Sequence, residues 1–244
     1  MTIRKRADIV LVERGIFESR AQAQSAIKAG LVSVDGMPLR KTSGTIAPDA
    51  RIMAEKPHPY VSRGGLKLAA ALDAFGIDPA GLVACDLGAS TGGFTDVLLQ
   101  HGAAKVHAVD VGHGQLHPRI VTDARVVAME GRDARSLDRD AIAEPVDLLV
   151  ADVSFISLRL VIPPVIPLLA PDARAVLLIK PQFEAGRDKL GKGGIIRDEQ
   201  VQHDVCDVIS TMLTQAGFSI IGLIESPIRG GDGNREFLIG GRLG

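Results

Sequence analysis

Tryptophan is absent from this chain and tyrosine occurs once; aromatics make up only 3% of its 244 residues. A core without large rings must rest on Ala, Val, Ile and Leu, and a hydrophobic share of 46% is enough for a substantial interior. Cysteine is scarce as well. Cys85 and Cys206 lie in apolar surroundings with no CxxC spacing, which argues against a disulfide framework and reads as two buried, reduced thiols. Long apolar runs are missing: the longest, LVIPPVIPLLA at Leu160 to Ala170, carries three prolines and is too short for a bilayer. The basic start MTIRKRADIVLVERG is broken by Glu13 and Arg14, unlike a secretory leader. The expectation is a cytoplasmic protein with no membrane partner.

Net charge is also nearly absent, at −1, but its distribution is uneven. Residues 1–67 hold 12 Lys and Arg against 6 Asp and Glu, whereas the other 177 residues hold 16 against 23. A basic N-terminal piece on an acidic body suggests that the first piece meets a polyanion. That piece has a helix closing near Gly15, then Ser19 as N-cap of a helix reaching Ala29 and stopped by Gly30. LVSVDGMPL follows as two short strands around Asp35-Gly36, a pair favoured in tight hairpins.

The stretch RADIVLVERGIFESRAQAQSAIKAGLVSVDG resembles the S4 RNA-binding domain. The resemblance implies RNA binding, with Arg4, Arg6, Arg20 and Lys28 placed to meet phosphates, joined by Arg63 and Lys189 further along. Pro57 and Pro59 make a stiff connector, so the expected division is residues 1–56, a linker at 57–65, and a second domain at 66–244.

The second domain alternates strands and helices. Strands are expected at 83–87, 105–109, 126–129, 147–151, 175–179, 218–225 and 236–240, with helices near 66–75, 93–101, 158–169 and 198–215. Apolar strands separated by helices predict an α/β, Rossmann-like parallel sheet covered on both faces. SPIRGGDGN is too short for a helical crossover, so the seventh strand should run antiparallel beside the sixth.

Glycines follow the first of these strands in Asp86-x-Gly88-x-Ser90-Thr91-Gly92-Gly93-Phe94, and Asp110 ends the next strand. A P-loop would require a Lys that is missing, and GxGxxG is absent too. An acid at Asp110 is placed to accept ribose hydroxyls. The combination resembles motif I and the following acidic loop of S-adenosylmethionine methyltransferases. It implies S-adenosyl-L-methionine as cofactor, held by Asp86, Gly88, Ser90, Thr91, Gly92, Gly93, Phe94, Asp110 and Val111, with Asp133 and Ala134 at the adenine.

Four charged residues stand where apolar packing is the default: Lys67 at the domain's first helix, Asp152 and Lys180 at strand ends, and Glu236 at the start of the last strand. The topology lets all four converge on one cleft, and such a buried quartet is costly unless paired. Methyl transfer to a ribose hydroxyl needs a proton acceptor. A lysine serves in its neutral form, which a second lysine and a sulfonium charge favour. Lys180 is read as the residue nearest the 2′-oxygen, with Asp152 and Lys67 positioning it and Glu236 closing the network.

Lys-Asp-Lys-Glu in this order resembles the tetrad of FtsJ-like ribose 2′-O-methyltransferases. With the S4 segment, the chain resembles the TlyA-type, haemolysin-like ribosomal RNA methyltransferases through VSRGGLKL, DLGASTGGFTDVLL, AVDVGHGQL, ADVSFISL, LIKPQFE, GKGGIIRD and NREFL. The resemblance implies 2′-O-methylation of cytidine in ribosomal RNA within assembled subunits, with no protein partner required. The chain ends at Gly244 soon after strand seven, like the shorter members, which implies the large subunit first and leaves the small subunit open. Where the family carries Arg-x-Trp-Val in its linker, this chain has His58-Pro59-Tyr60-Val61.

His113 and His117 are four apart, but Gly114 and Pro118 make the stretch a loop without a third ligand, so no metal is assigned. EAGRDKLGKGGIIRD is read as a flap bringing Arg187, Lys189 and Lys192 near phosphates, and Ser154 has no hydrolase context. Two rival readings are a membrane-active cytolysin, which lacks a visible membrane segment, and a non-catalytic ribosome assembly factor, against which the intact tetrad argues. A base methyltransferase would carry an Asn-Pro-Pro-Tyr-like motif where KPQF stands.

Overall fold

Strand-forming runs of Val, Leu and Ala alternate with amphipathic helices through most of the chain, and the computed structural model packs them as that pattern requires. It describes residues 4–244, the side chain of Arg187 excepted. The chain separates into two compact units that divide between Pro59 and Tyr60. The division falls within the stretch expected as a connector. Tyr60 to Arg63 belong with the second unit, where the Val61 N–H donates to the buried Asp96 carboxylate at 2.8 Å.

The first unit contains β1 (Lys5–Arg6), α1 (Ala7–Glu13), α2 (Arg20–Lys28), β2 (Val32–Val34), β3 (Met37–Pro38), β4 (Thr45–Ile46) and β5 (Ile52–Ala54). Ser19 caps α2, its hydroxyl accepting from the Gln22 N–H at 3.2 Å. Asp35 and Gly36 both take left-handed φ values, 50° and 80°, and close the β2–β3 hairpin. A small core of Ala7, Val10, Leu11, Phe17, Ala23, Ala26 and Ile27 lies between the helices and strands.

The second unit contains α3 (Gly64–Phe75), β6 (Val83–Leu87), α4 (Gly93–Gln100), β7 (Lys105–Asp110), α5 (Pro118–Val121), β8 (Val126–Glu130), β9 (Val146–Ala151), α6 (Leu158–Val165), β10 (Leu169–Ile179), α7 (Pro181–Glu184), α8 (Glu199–Gln215), β11 (Phe218–Glu225) and β12 (Phe237–Leu243). Seven strands form one sheet in the order β11-β12-β10-β9-β6-β7-β8. β12 lies antiparallel between β10 and β11, and the β10-β9-β6-β7-β8 run is parallel. Hydrophobic clusters fill both faces. Two boundaries differ from expectation by more than three residues. α6 stops at Val165 because Pro163, Pro164 and Pro167 deny it backbone donors. β10 then starts six residues early, at Leu169, and slips register before Arg174, with Asp172 at φ 63°.

One acid organises the basic side of the first unit. Asp8 on α1 is fully buried, and its carboxylate accepts from Arg6 at 3.0 Å, Arg20 at 2.9 Å and Gln24 at 2.7 Å. The Arg6 contact above all holds its pKa below the ordinary carboxylate range. The folded-state value is depressed, so the contribution is complete above the unfolded value of about 4 and fades as pH falls below it. Asp8→Ala is expected to lower the melting temperature of the S4-like unit by on the order of 5 °C at pH 7, and by a smaller amount at pH 3, where the contribution has begun to fade. Calorimetry at the two pH values checks this; equal losses at both would contradict the ion-pair account.

Candidate active site

Parallel strands end together, so the residues following β6, β7, β8, β9 and β10 share one edge of the sheet, and the start of antiparallel β12 joins them there. Lys180 follows β10, Asp152 follows β9, Glu236 precedes β12, and Lys67 reaches in from the second turn of α3. These four come together. Lys67 Nζ lies 2.6 Å from Glu236 Oε2 and 4.0 Å from Asp152 Oδ2, and Lys180 Nζ lies 2.6 Å from Asp152 Oδ1. Side-chain exposure is 10% or less for both lysines and Glu236, and 20% for Asp152. The four form one chain of alternating charge, Glu236–Lys67–Asp152–Lys180, which is what lets them sit so deep.

A fifth member went unread in the sequence. Lys180 Nζ also donates to Ser154 Oγ at 2.7 Å. An ammonium has three donors. Asp152 and Ser154 engage two positions of the nitrogen, so another of its positions, occupied by an N–H in the ammonium or by the lone pair in the free amine, is left for a substrate atom. The Phe183 ring lies 5.9 Å from the same nitrogen, and Phe155, 91% exposed at φ 63°, stands 5.0 Å from Phe183. Ser154 carries no motif of its own; its place after a strand that ends on a required Asp was the available signal.

Two cavities meet at this point, sharing Gly88, Ser90, Asp152 and Ser154. One, of about 480 Å³, is lined by Asp110, Val111, Asp133 and Ala134 with Ile156 and Val161. The other, of about 300 Å³, is lined by Thr91, Gly93, Phe94, Lys67 and Lys180, with Arg63 and Arg229 also in its wall. Asp86 and Gly92 line neither cavity: Asp86 is buried at the end of β6, and Gly92 packs against Ile120. Gln115, Arg132, Arg135 and Arg229 also line these cavities and were not singled out from sequence, since each lies in a loop whose path only the fold fixes.

The larger cavity suits a nucleoside. Asp110 accepts from the Ser90 N–H at 2.8 Å and the Gly112 N–H at 2.7 Å, which fixes its carboxylate at the cavity wall and leaves further lone pairs for hydroxyls. Val111, Ala134, Ile156 and Val161 supply apolar surface for a flat ring. Asp133 is gripped by Arg135 at 2.6 Å, which holds its pKa at about 2, so it offers a ligand only what that guanidinium leaves. Behind the glycine turn, Asp86 is fully buried: Oδ2 accepts from Thr95 Oγ1 at 2.7 Å, and Oδ1 has no partner among the described residues. That orphaned acceptor lies behind the turn and outside both cavities, so it is a buried polar group of the strand end.

In the first unit, Arg6 and Arg20 remain about half exposed around Asp8, Arg4 donates to the Thr45 carbonyl at 2.6 Å, and Lys28 is exposed. In the second unit, Arg63 precedes α3 at the cavity wall, and exposed Lys189 lies 4.0 Å from Asp188.

Comparison with known proteins places this geometry in context. The profile of the FtsJ-like methyltransferases matches residues 60–243, and that of the S4 domain matches residues 5–52. The chain is 42% identical to the 16S/23S rRNA (cytidine-2′-O)-methyltransferase TlyA of Mycobacterium tuberculosis, over 98% of this chain and 90% of that one. It is 40% identical to Hemolysin A of Brachyspira hyodysenteriae, over 96% and 98% of the two chains. A solved hemolysin-like chain from Streptococcus thermophilus superposes with a TM-score of 0.77 at 39% identity, covering 100% of this chain and 90% of its own. Among the described residues, no helix is long and apolar enough to cross a membrane.

Burial is the main cause that raises the Asp86 pKa, to about 7, with the nearby Asp152 and Asp110 charges adding to it. A raised carboxylate favours the protonated fold, so wild-type stability falls as pH climbs from about 4 towards 7 and stays lost above. Asp86→Asn removes that titration. The stability difference between variant and wild type should grow in the variant's favour by up to about 1.4 kcal/mol per pH unit in this window. Denaturant titrations at pH 5 and 8 decide it, and parallel curves would show that Asp86 ionises freely.

Proposed function

The chain belongs to the FtsJ-like methyltransferase family, and from that premise we propose that it transfers a methyl group from S-adenosylmethionine to the ribose 2′-hydroxyl of a cytidine in ribosomal RNA. The observation that carries this reading is the contact network of Lys67, Asp152, Lys180 and Glu236 where the two cavities meet. Relatives that share some two-fifths of the sequence are named for this activity, and the S4 match supplies an RNA-binding unit.

When bound, the cofactor supplies an electrophilic methyl group on a sulfonium. Asp110 is positioned to hold its ribose, the Gly88 to Phe94 turn its amino-acid end, and Asp133 with Ala134 its adenine. Lys180 lies at the cavity junction with Asp152 and Ser154 fixing its direction. As the free amine, Lys180 Nζ takes the proton of the 2′-hydroxyl while that oxygen attacks. Asp152 then stabilises the ammonium formed. Glu236 holds Lys67 beside Asp152, the carboxylate that orients Lys180. Arg63 and Arg229, in the wall of the catalytic cavity, are suited to the phosphates flanking the target ribose.

The first substrate to test is the large subunit. A relative from Campylobacter jejuni, 34% identical over 73% of this chain and 69% of its own, is named for 23S RNA alone. The test supplies radiolabelled S-adenosylmethionine to separated subunits lacking the modification. Label at a nucleotide whose 3′ linkage resists alkali supports ribose transfer and identifies the subunit. Cofactor binding without label in either subunit would rule out ribosomal RNA as the direct substrate. Lys180→Ala is expected to cut the transfer rate at least about 100-fold with cofactor affinity within about twofold, and Ser154→Ala about tenfold. Wild-type turnover in Lys180→Ala would remove that lysine from the mechanism.

A further inference from the structure

Asn234 is 1% exposed and sits two residues before Glu236, yet it lines neither cavity. Its side-chain amide faces the Gly- and Lys-rich flap that follows α7. Oδ1 accepts from the Ile196 N–H at 3.0 Å, and Nδ2 donates to the Gly194 carbonyl at 3.1 Å. The flap is gripped from its other side by Gln202, 2% exposed, whose Nε2 donates to the Ile196 carbonyl at 2.8 Å. Both backbone polar groups of Ile196 are thus satisfied by side-chain amides. Gly193 and Gly194, at φ 76° and 72°, give the backbone the bend this docking requires.

Asn234 also shapes the loop that leads to β12. Its own carbonyl accepts from the Gly230 N–H at 3.0 Å, and Gly230 lies so close to Glu236 that a Cβ there would meet Oε1 at 2.5 Å. Ile228, Arg229 and Gly231 of the same loop line the catalytic cavity. One buried residue, by its side-chain amide on one side and its backbone carbonyl on the other, therefore joins the flap bearing exposed Lys189 and Lys192 to the cavity wall beside Glu236.

We propose that Asn234 is a positioning residue that makes flap and cavity wall one piece, so that RNA phosphates engaging the flap are registered at the Lys67–Glu236 pair. Without the amide, the flap swings independently of the loop over the pair, while that loop, held by the Asn234 carbonyl, and the cofactor cavity stay as they are. Catalysis should suffer more than cofactor binding. The turnover arm of this inference rests on the proposed RNA methyl transfer; its protease arm does not.

The test combines limited trypsin digestion with kinetics on the full chain. In Asn234→Ala, cleavage after Lys189 and Lys192 is expected to rise about tenfold, as an opened segment allows. Methyl transfer should fall about tenfold in kcat, with cofactor affinity within about twofold. Asn234→Ser keeps one small hydrogen-bonding group without burying a charge, so it should fall between wild type and Asn234→Ala in both assays and stands in if the alanine variant fails to fold. Wild-type cleavage rates in both variants would overturn the clamp, and a freed flap with unchanged kcat and KM would overturn its link to catalysis. A wild type that transfers no methyl defeats the proposed substrate instead, and the digestion still decides the clamp.

Discussion

The Lys67–Glu236 pair joins residues 169 positions apart, and the architecture of the second unit is what lets it exist. Neither charge has much access to water, and removing two such ions from solvent costs several kcal/mol each before their attraction offsets it. An apolar pair of the same volume would hold α3 against the start of β12 at least as well. A buried ion pair at that place is therefore explained by chemistry, since it keeps a cation beside Asp152 at the junction of two cavities.

The topology does the assembling. In a wholly parallel sheet the first residues of a strand lie at the edge opposite the ligand. β12 is inserted antiparallel between β10 and β11, so its first residues reach the carboxyl edge where Asp152 and Lys180 already are. The short loop from Ser226 to Glu236 makes that reversal possible, and the same loop supplies Arg229 to the cavity wall. Fold and site are thus one constraint: the strand that closes the sheet also carries the last charge of the quartet.

Much of this was legible in the sequence, for physical reasons. Strand and helix periods gave β6, β11 and the start of α4 to the residue, because Gly92, Gly217 and the apolar runs beside them leave little freedom. The quartet was visible because charge at strand ends is costly and therefore informative. What stayed hidden was of another kind. Asp8 reads as an ordinary first-turn acid until α2 brings Arg20 and Gln24 onto it. Ser154 and Asn234 look like loop residues, and their value depends on which loop lies opposite. The early start of β10 was hidden because Pro171 and Asp172 mimic a turn, whereas the strand absorbs them as a register slip.

The glycine turn carries a structural constraint that its motif does not reveal. Gly88 was explained by the need for a ligand to approach the backbone, and its φ of 81° is consistent with that. Yet a Cβ at Gly88 would meet the Asp152 carbonyl oxygen at 2.7 Å and the Val153 Cα at 3.2 Å. The missing side chain lets the end of β9 close against the end of β6, and that approach fixes the backbone from which the Asp152 carboxylate reaches both lysines. Gly65 works in the same way, where a Cβ would strike the Tyr60 ring at 2.5 Å two residues before Lys67 is presented. The glycines therefore do two things at once: they shape the cleft and set the depth at which the four charges sit. A substitution at Gly88 would disturb both cavity wall and quartet, because at that residue the two share one backbone contact.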